Sequence, residues 1–126
     1  MPNLFLVMLG GAAGAGLRYG VGQAASRAFG PGFPWGTLIV NMTGSLLIGL
    51  LAAILLKDGA AADRASWLLL VVGGLGGYTT FSSFSLEMLR MVEGGQVATA
   101  FGYAAGSVIA GLALAAGGFA LGRAAA

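Results

Sequence analysis

Four apolar stretches follow one another along the chain, at about residues 3–25, 36–56, 66–91 and 96–122, with short polar connections between them. Crossing the hydrocarbon core of a bilayer takes about 20 helical residues, so each stretch is long enough to span. Lipid offers no partner to a backbone amide or carbonyl, and a helix satisfies both internally. The expected fold is an all-α membrane protein, a single four-helix transmembrane domain over residues 1–126. Composition agrees. Only 8% of the residues are charged and 58% are hydrophobic, and the mean hydropathy is +0.92. A soluble domain carries about 25% charged residues.

The third stretch departs from what a purely apolar helix needs. It contains Gly73-Gly74-Leu75-Gly76-Gly77-Tyr78-Thr79-Thr80-Phe81-Ser82-Ser83-Phe84-Ser85. Each glycine costs a helix about 1 kcal/mol against alanine, and four fall within five positions. Two threonines and three serines follow. Non-helical backbone at membrane depth is tolerated only where protein or a water-filled cavity shelters it, and there it exposes carbonyls and amides able to hold ions. One reading is a functional break in the helix. The other is a glycine-rich face for close packing.

The remaining stretches carry fewer signals. In the first, Arg18 lies inside the apolar run and no basic residue precedes it, unlike a signal peptide. A retained helix is expected. Its Gly10-x-x-x-Gly14 and Gly16-x-x-x-Gly20 spacings allow close helix approach in lipid. Phe29 to Trp35 reads as a turn, with Phe33 and Trp35 suited to the membrane interface. The second stretch places Thr37, Asn41 and Ser45 on one helical face. A buried Asn41 amide must find partners, either as glue between helices or as an ion contact. A charged loop is expected at 57–64 and a turn at Glu93-Gly94-Gly95. Glu87 and Arg90 are spaced for a pair along a helix. In the fourth stretch Thr99, Tyr103, Ser107 and Gly111 recur every four residues as a polar stripe, beside Gly102-x-x-x-Gly106.

Several classes of function are excluded. With neither cysteine nor histidine, disulfides, thiol nucleophiles, imidazole bases and the usual zinc or haem ligands are absent. The acids are Asp58, Asp63, Glu87 and Glu93, too few within the membrane for general acid–base catalysis. The chain is not expected to be an enzyme. The pI near 9.5 reflects a net charge of only +2, and the basic residues are scattered, so no nucleic-acid partner is expected. Gly20-x-Gly22-x-x-Ala25 lies within a span and does not serve as a dinucleotide loop. A small multidrug exchanger would want a carboxylate in the first helix, and this one has none.

Four spans put both termini, Lys57, Arg64 and Arg123 on one side of the membrane and Arg27 and Arg90 on the other. If Arg18 snorkels toward the second side, the charges balance and the bias that orients membrane proteins vanishes. Insertion both ways, and pairing of opposite orientations as an antiparallel dimer, is the expectation. The polar residues suit an anion. Asn41 offers an amide, and Thr80, Ser82, Tyr103 and Ser107 offer hydroxyls. Phe81 and Phe84, three apart, offer the positive edges of their rings. Backbone carbonyls at the glycines suit a cation instead, fixed there as a structural ion. Arg18 is either an anchor at the interface or a charge that draws anions to a vestibule.

Three motifs, Gly10-Gly11-Ala12-Ala13-Gly14-Ala15-Gly16-Leu17-Arg18-Tyr19, Gly36-Thr37-Leu38-Ile39-Val40-Asn41-Met42-Thr43-Gly44-Ser45 and Gly76-Gly77-Tyr78-Thr79-Thr80-Phe81-Ser82-Ser83-Phe84-Ser85-x-Glu87, occur in order across nearly the whole chain. Together they resemble the Fluc/CrcB fluoride channels. The resemblance implies an antiparallel, dual-topology homodimer in the plasma (inner) membrane of a prokaryote, with two pores for passive, selective fluoride export. It implies that Asn41, the phenylalanine pair Phe81 and Phe84, and Tyr103 and Ser107 line the pathway, with Thr37 and Glu87 near one end. It also implies that the carbonyls of Gly76 and Thr79 hold a central structural sodium ion. The sequence departs at Gly111, where the polar track often continues with a hydroxyl, and at Ser83, where threonine is usual.

Overall fold

The computed structural model describes residues 1–57 and 64–125; residues 58–63, most of the expected charged loop, lie outside the described residues. In chain order come α1 (Pro2–Phe29), α2 (Trp35–Leu55), a π-helical stretch (Trp67–Leu75), α3 (Gly76–Tyr78), α4 (Ser82–Glu93) and α5 (Val97–Ala125). There is no strand among the described residues. Four helices are long and apolar enough to cross a membrane, the third being Trp67–Glu93 taken as a whole.

The helix ends differ from the expected ones in one systematic way. α1 continues past residue 25 through Ser26 and Arg27, and α5 continues past residue 122 to Ala125. A helix of 28 residues is about 42 Å long, well beyond a hydrocarbon core of about 30 Å. A span needs only part of that length, so Ser26 and Arg27 continue the helix, and polarity alone does not mark where a helix ends. α1 stops at Gly30, whose φ of 77° is readily reached only by glycine.

Contacts between named residues fix the directions. Gly10 of α1 faces Leu69 and Gly74, and Gly14 faces Gly74 and Tyr78, so α1 runs parallel to the third span. α2 runs antiparallel to that span, since Thr37 meets Glu87 and Asn41 meets Thr80. α2 and α5 are parallel and form the most extensive pairing in the molecule, with Gly49 on Ala115, Gly118 on Leu46 and Gly122 on Ala53.

The third stretch divides its two expected readings along its length. The glycines remain helical, and Gly73, Gly74 and Gly77 serve close packing against α1. A Cβ on Gly10 would collide with the Leu69 carbonyl and lie 2.8 Å from the Gly74 amide, and one on Gly77 would lie 2.5 Å from the Gly11 carbonyl oxygen. The non-helical residues come later. Thr79 is extended, with φ −87° and ψ 163°, and α4 starts only at Ser82. Wide π-helical turns over Trp67–Leu75 precede this point.

One apolar cluster joins the helices at the level of the polar stripes. Phe84, Met91, Ala100 and Tyr103 are buried together, with Phe33, Leu38, Met88 and Ala104 against them. Elsewhere large apolar side chains face outward, among them Phe5, Phe101, Ile109 and Leu112. That suits lipid or a partner rather than water.

Candidate functional site

The site is built around the three residues between α3 and α4, and Asn41 is what holds them. Its Oδ1 accepts from the Thr80 amide at 2.8 Å, and its Nδ2 donates to the Thr80 carbonyl at 3.0 Å. One side chain thus replaces both helical bonds of a peptide that has left the helix. Asn41 is glue between helices; one of its two amide hydrogens is not used by Thr80. Its own carbonyl accepts from Ser45 Oγ at 2.7 Å. Beyond Thr80, the Thr80 hydroxyl accepts from the Ser83 amide at 3.2 Å and so caps the start of α4. On the near side, Thr79 Oγ1 donates to the Leu75 carbonyl at 2.9 Å. Tyr78 is held by a hydroxyl contact with Thr43 at 2.9 Å.

These bonds decide which carbonyls stay available. In a continuous helix the Thr80 amide would bond the Gly76 carbonyl, and the Ser83 amide would bond that of Thr79. Both amides are diverted, to Asn41 Oδ1 and Thr80 Oγ1. The Gly77 carbonyl accepts from Arg18 Nε at 3.0 Å, and the Thr80 carbonyl accepts from Asn41. Gly76 and Thr79 are therefore left without their helical donors, while two of their neighbours' carbonyls are engaged. Unpaired carbonyls at membrane depth are the donor set of a hard cation, and the residues present fit one.

A cleft of about 660 Å³ opens against this segment. It brings together Asn41, Thr79, Thr80, Phe81, Phe84 and Ser107, with Gly76 on its wall. The Phe81 and Phe84 ring centres are 6.0 Å apart and tilted by 58°. The two rings differ in setting: Phe84 is 8% exposed and Phe81 is 76% exposed. Phe81 stands at the N-cap of α4, where the helix has not yet turned it inward. Ser82 lies beside this group, its Oγ 3.4 Å from Thr80 Oγ1.

At the far end of the phenylalanines the polar residues converge on Glu87. Tyr103 donates its hydroxyl to Glu87 Oε1 at 2.8 Å, and Thr37 donates to Oε2 at 2.6 Å. Three helices thus meet at one carboxylate. Phe84 and Phe33 each meet the Tyr103 ring edge to face, at 4.9 and 5.1 Å between centres. Beyond Glu87 a second cleft, of about 460 Å³, is lined by Thr37, Glu87, Arg90, Trp35 and Gln96 among others.

Some expectations shift. Glu87 takes its partners from α2 and α5, not from Arg90 on its own helix, because the Thr37 and Tyr103 hydroxyls reach it across the helices while Arg90 is exposed at the second cleft. Arg18 reaches inward to the Gly77 carbonyl, which holds its guanidinium against the third span. Ser107 lines the larger cleft. Gly111 lies against α2, its Cβ position 3.4 Å from Ser45 Oγ, so the hydroxyl at that level comes from the neighbouring helix. Phe33, read from sequence as an interfacial aromatic, packs on Tyr103; nothing in a turn sequence signals which buried ring it will meet. Thr43 falls off the face shared by Thr37, Asn41 and Ser45, so helical spacing does not single it out.

Comparison with known proteins bears on this geometry. Residues 5–119 match the family model described as CrcB-like protein, Camphor Resistance (CrcB). A relative from Thermus thermophilus is 51% identical over 124 residues, covering 98% of this chain and 98% of its own. One from Sphingopyxis alaskensis is 51% identical over 112 residues, covering 89% and 88%. A third, from a Caulobacter species, is 51% identical over 113 residues, covering 90% and 88%. All three bear the name fluoride-specific ion channel FluC. The polar positions gathered around Thr80 and Glu87 all fall within the matched segment, and the chain belongs to the CrcB family.

Proposed function

We propose that this chain is a passive, highly selective fluoride channel that exports fluoride across the plasma (inner) membrane of a prokaryote. It works as an antiparallel, dual-topology homodimer with two pores and a central structural sodium ion. The observation that carries the reading is the Thr79–Phe81 segment, clamped by Asn41 and opening on a cleft that also holds Phe81, Phe84 and Ser107. Relatives named as fluoride-specific channels along the whole chain support the choice of ion.

Fluoride is small and strongly hydrated, so a pathway must replace its water. The cleft offers the spare Asn41 amide hydrogen, the hydroxyls of Thr80 and Ser107, and the ring edges of Phe81 and Phe84, with the Ser82 hydroxyl beside that of Thr80. These are weak, neutral donors, so the ion is held and then released. At the far end the hydroxyls of Tyr103 and Thr37, which meet at Glu87, continue the polar track toward the second cleft. The Gly76 and Thr79 carbonyls would hold the sodium ion, which supplies a fixed positive charge and ties two copies together. A second copy is supported by the exposure of Phe81 and by the near balance of basic residues at the two ends.

The test uses liposomes loaded with potassium fluoride or potassium chloride, with a potassium ionophore and an anion electrode outside. Fast fluoride efflux with negligible chloride efflux is expected. Equal efflux of both anions, or no protein-dependent fluoride efflux, overturns the reading.

A further inference from the structure

A third cleft lies between the C-terminal ends of α2 and α5, at the end of the bundle away from Glu87. It holds about 330 Å³ and is lined by Ala52, Ala53, Leu56, Lys57, Phe119 and Arg123. α2 and α5 touch at its side, where a Cβ on Gly122 would lie 2.7 Å from that of Ala53. The lining is apolar except for the two cations. The Arg123 guanidinium sits over the Phe119 ring, 5.8 Å from its centre, which favours a cation held beside an aromatic wall. Arg64 brings a third cation to the same end, its Nη1 donating to the Leu55 carbonyl at 2.9 Å. The acids of the described residues, Glu87 and Glu93, are on α4 and neither lines this cleft.

Cations at helix C-termini offset the helix dipole, and that accounts for Arg64 on Leu55. It does not account for an apolar slot opening between Lys57 and Arg123. We propose that this cleft binds an anionic phospholipid. The phosphate sits between Lys57 and Arg123, and one acyl chain lies along Ala52, Leu56 and Phe119. The fit rests on charge complementarity: basic pockets between transmembrane helices attract anionic headgroups, and the small Ala52 and Ala53 leave room for a chain. The site is separate from the ion pathway and independent of which ion the channel conducts.

The test is native mass spectrometry and thermal unfolding of the detergent-purified protein. It is titrated with phosphatidylglycerol, with phosphatidylcholine of the same chains, and with inorganic phosphate. Phosphatidylglycerol alone is expected to be retained, about one per protomer, and to raise the unfolding temperature. The double variant Lys57→Gln, Arg123→Gln should retain it on the order of ten- to thirtyfold less well. Ala52→Phe, which fills the slot and leaves both charges, should lose it too, while Arg27→Gln at the opposite end should not. Equal retention of the two lipids, an equal response to phosphate, or unchanged retention in the double variant would each overturn the proposal. Both replaced cations are exposed, so that variant keeps the fold and decides the matter if Ala52→Phe does not assemble.

Discussion

Replacing Asn41 by aspartate changes one atom of the clamp, and the structure says which bond it breaks. The retained Oδ1 still accepts from the Thr80 amide at 2.8 Å, but Nδ2, which donates to the Thr80 carbonyl at 3.0 Å, becomes an oxygen. With its carboxyl ionised, the Asn41→Asp variant therefore loses this hydrogen bond and leaves the Thr80 carbonyl without its donor, a cost of about 1–3 kcal/mol, and the new charge also repels an anion in the cleft. Thermal unfolding at neutral pH should place the variant below wild type by about that amount, and its fluoride flux should be impaired. A variant as stable and as conductive as wild type would refute the clamp.

Phe81→Ile and Phe84→Ile should both cut fluoride efflux, but only Phe84→Ile, in a buried position beside Tyr103, should also lower stability, by about 1–3 kcal/mol in an unfolding titration. Gly10→Ala should part α1 from the third span and destabilise the protein by about 1–3 kcal/mol, whereas Gly16→Ala, with open space around it, should stay within about 0.5 kcal/mol. In the proposed assembly, removing sodium should loosen the dimer, seen as dissociation on size-exclusion chromatography, and replacing it with potassium should not restore assembly if the Gly76 and Thr79 carbonyls select by size.

What could be read from sequence was what depends on spacing along one helix. Four runs of apolar residues gave four helices that can span, and Thr37, Asn41 and Ser45 shared a face because helical periodicity requires it. The polar convergence was partly legible in the same way: Tyr103 and Ser107 lie on one stripe, and both reach the positions around Phe84. What depends on two helices at once was hidden. The i, i+3 spacing of Glu87 and Arg90 suggested a pair, but Glu87 is claimed by hydroxyls 50 and 16 residues away. Composition located an irregular segment but misplaced its cause. Gly73, Gly74 and Gly77 stay helical and let α1 approach, and the chain leaves the helix at Thr79, where the Asn41 amide can take over the backbone bonds.

A passive path selective for fluoride sets the reversal potential of the current it carries. Purified protein would be placed in a planar bilayer with a fluoride gradient across it and chloride and potassium set to oppose it. The predicted current reverses at the fluoride equilibrium potential, moving about 59 mV for each tenfold change in the fluoride ratio. A reversal that follows chloride or potassium, or that does not move with fluoride, would contradict it.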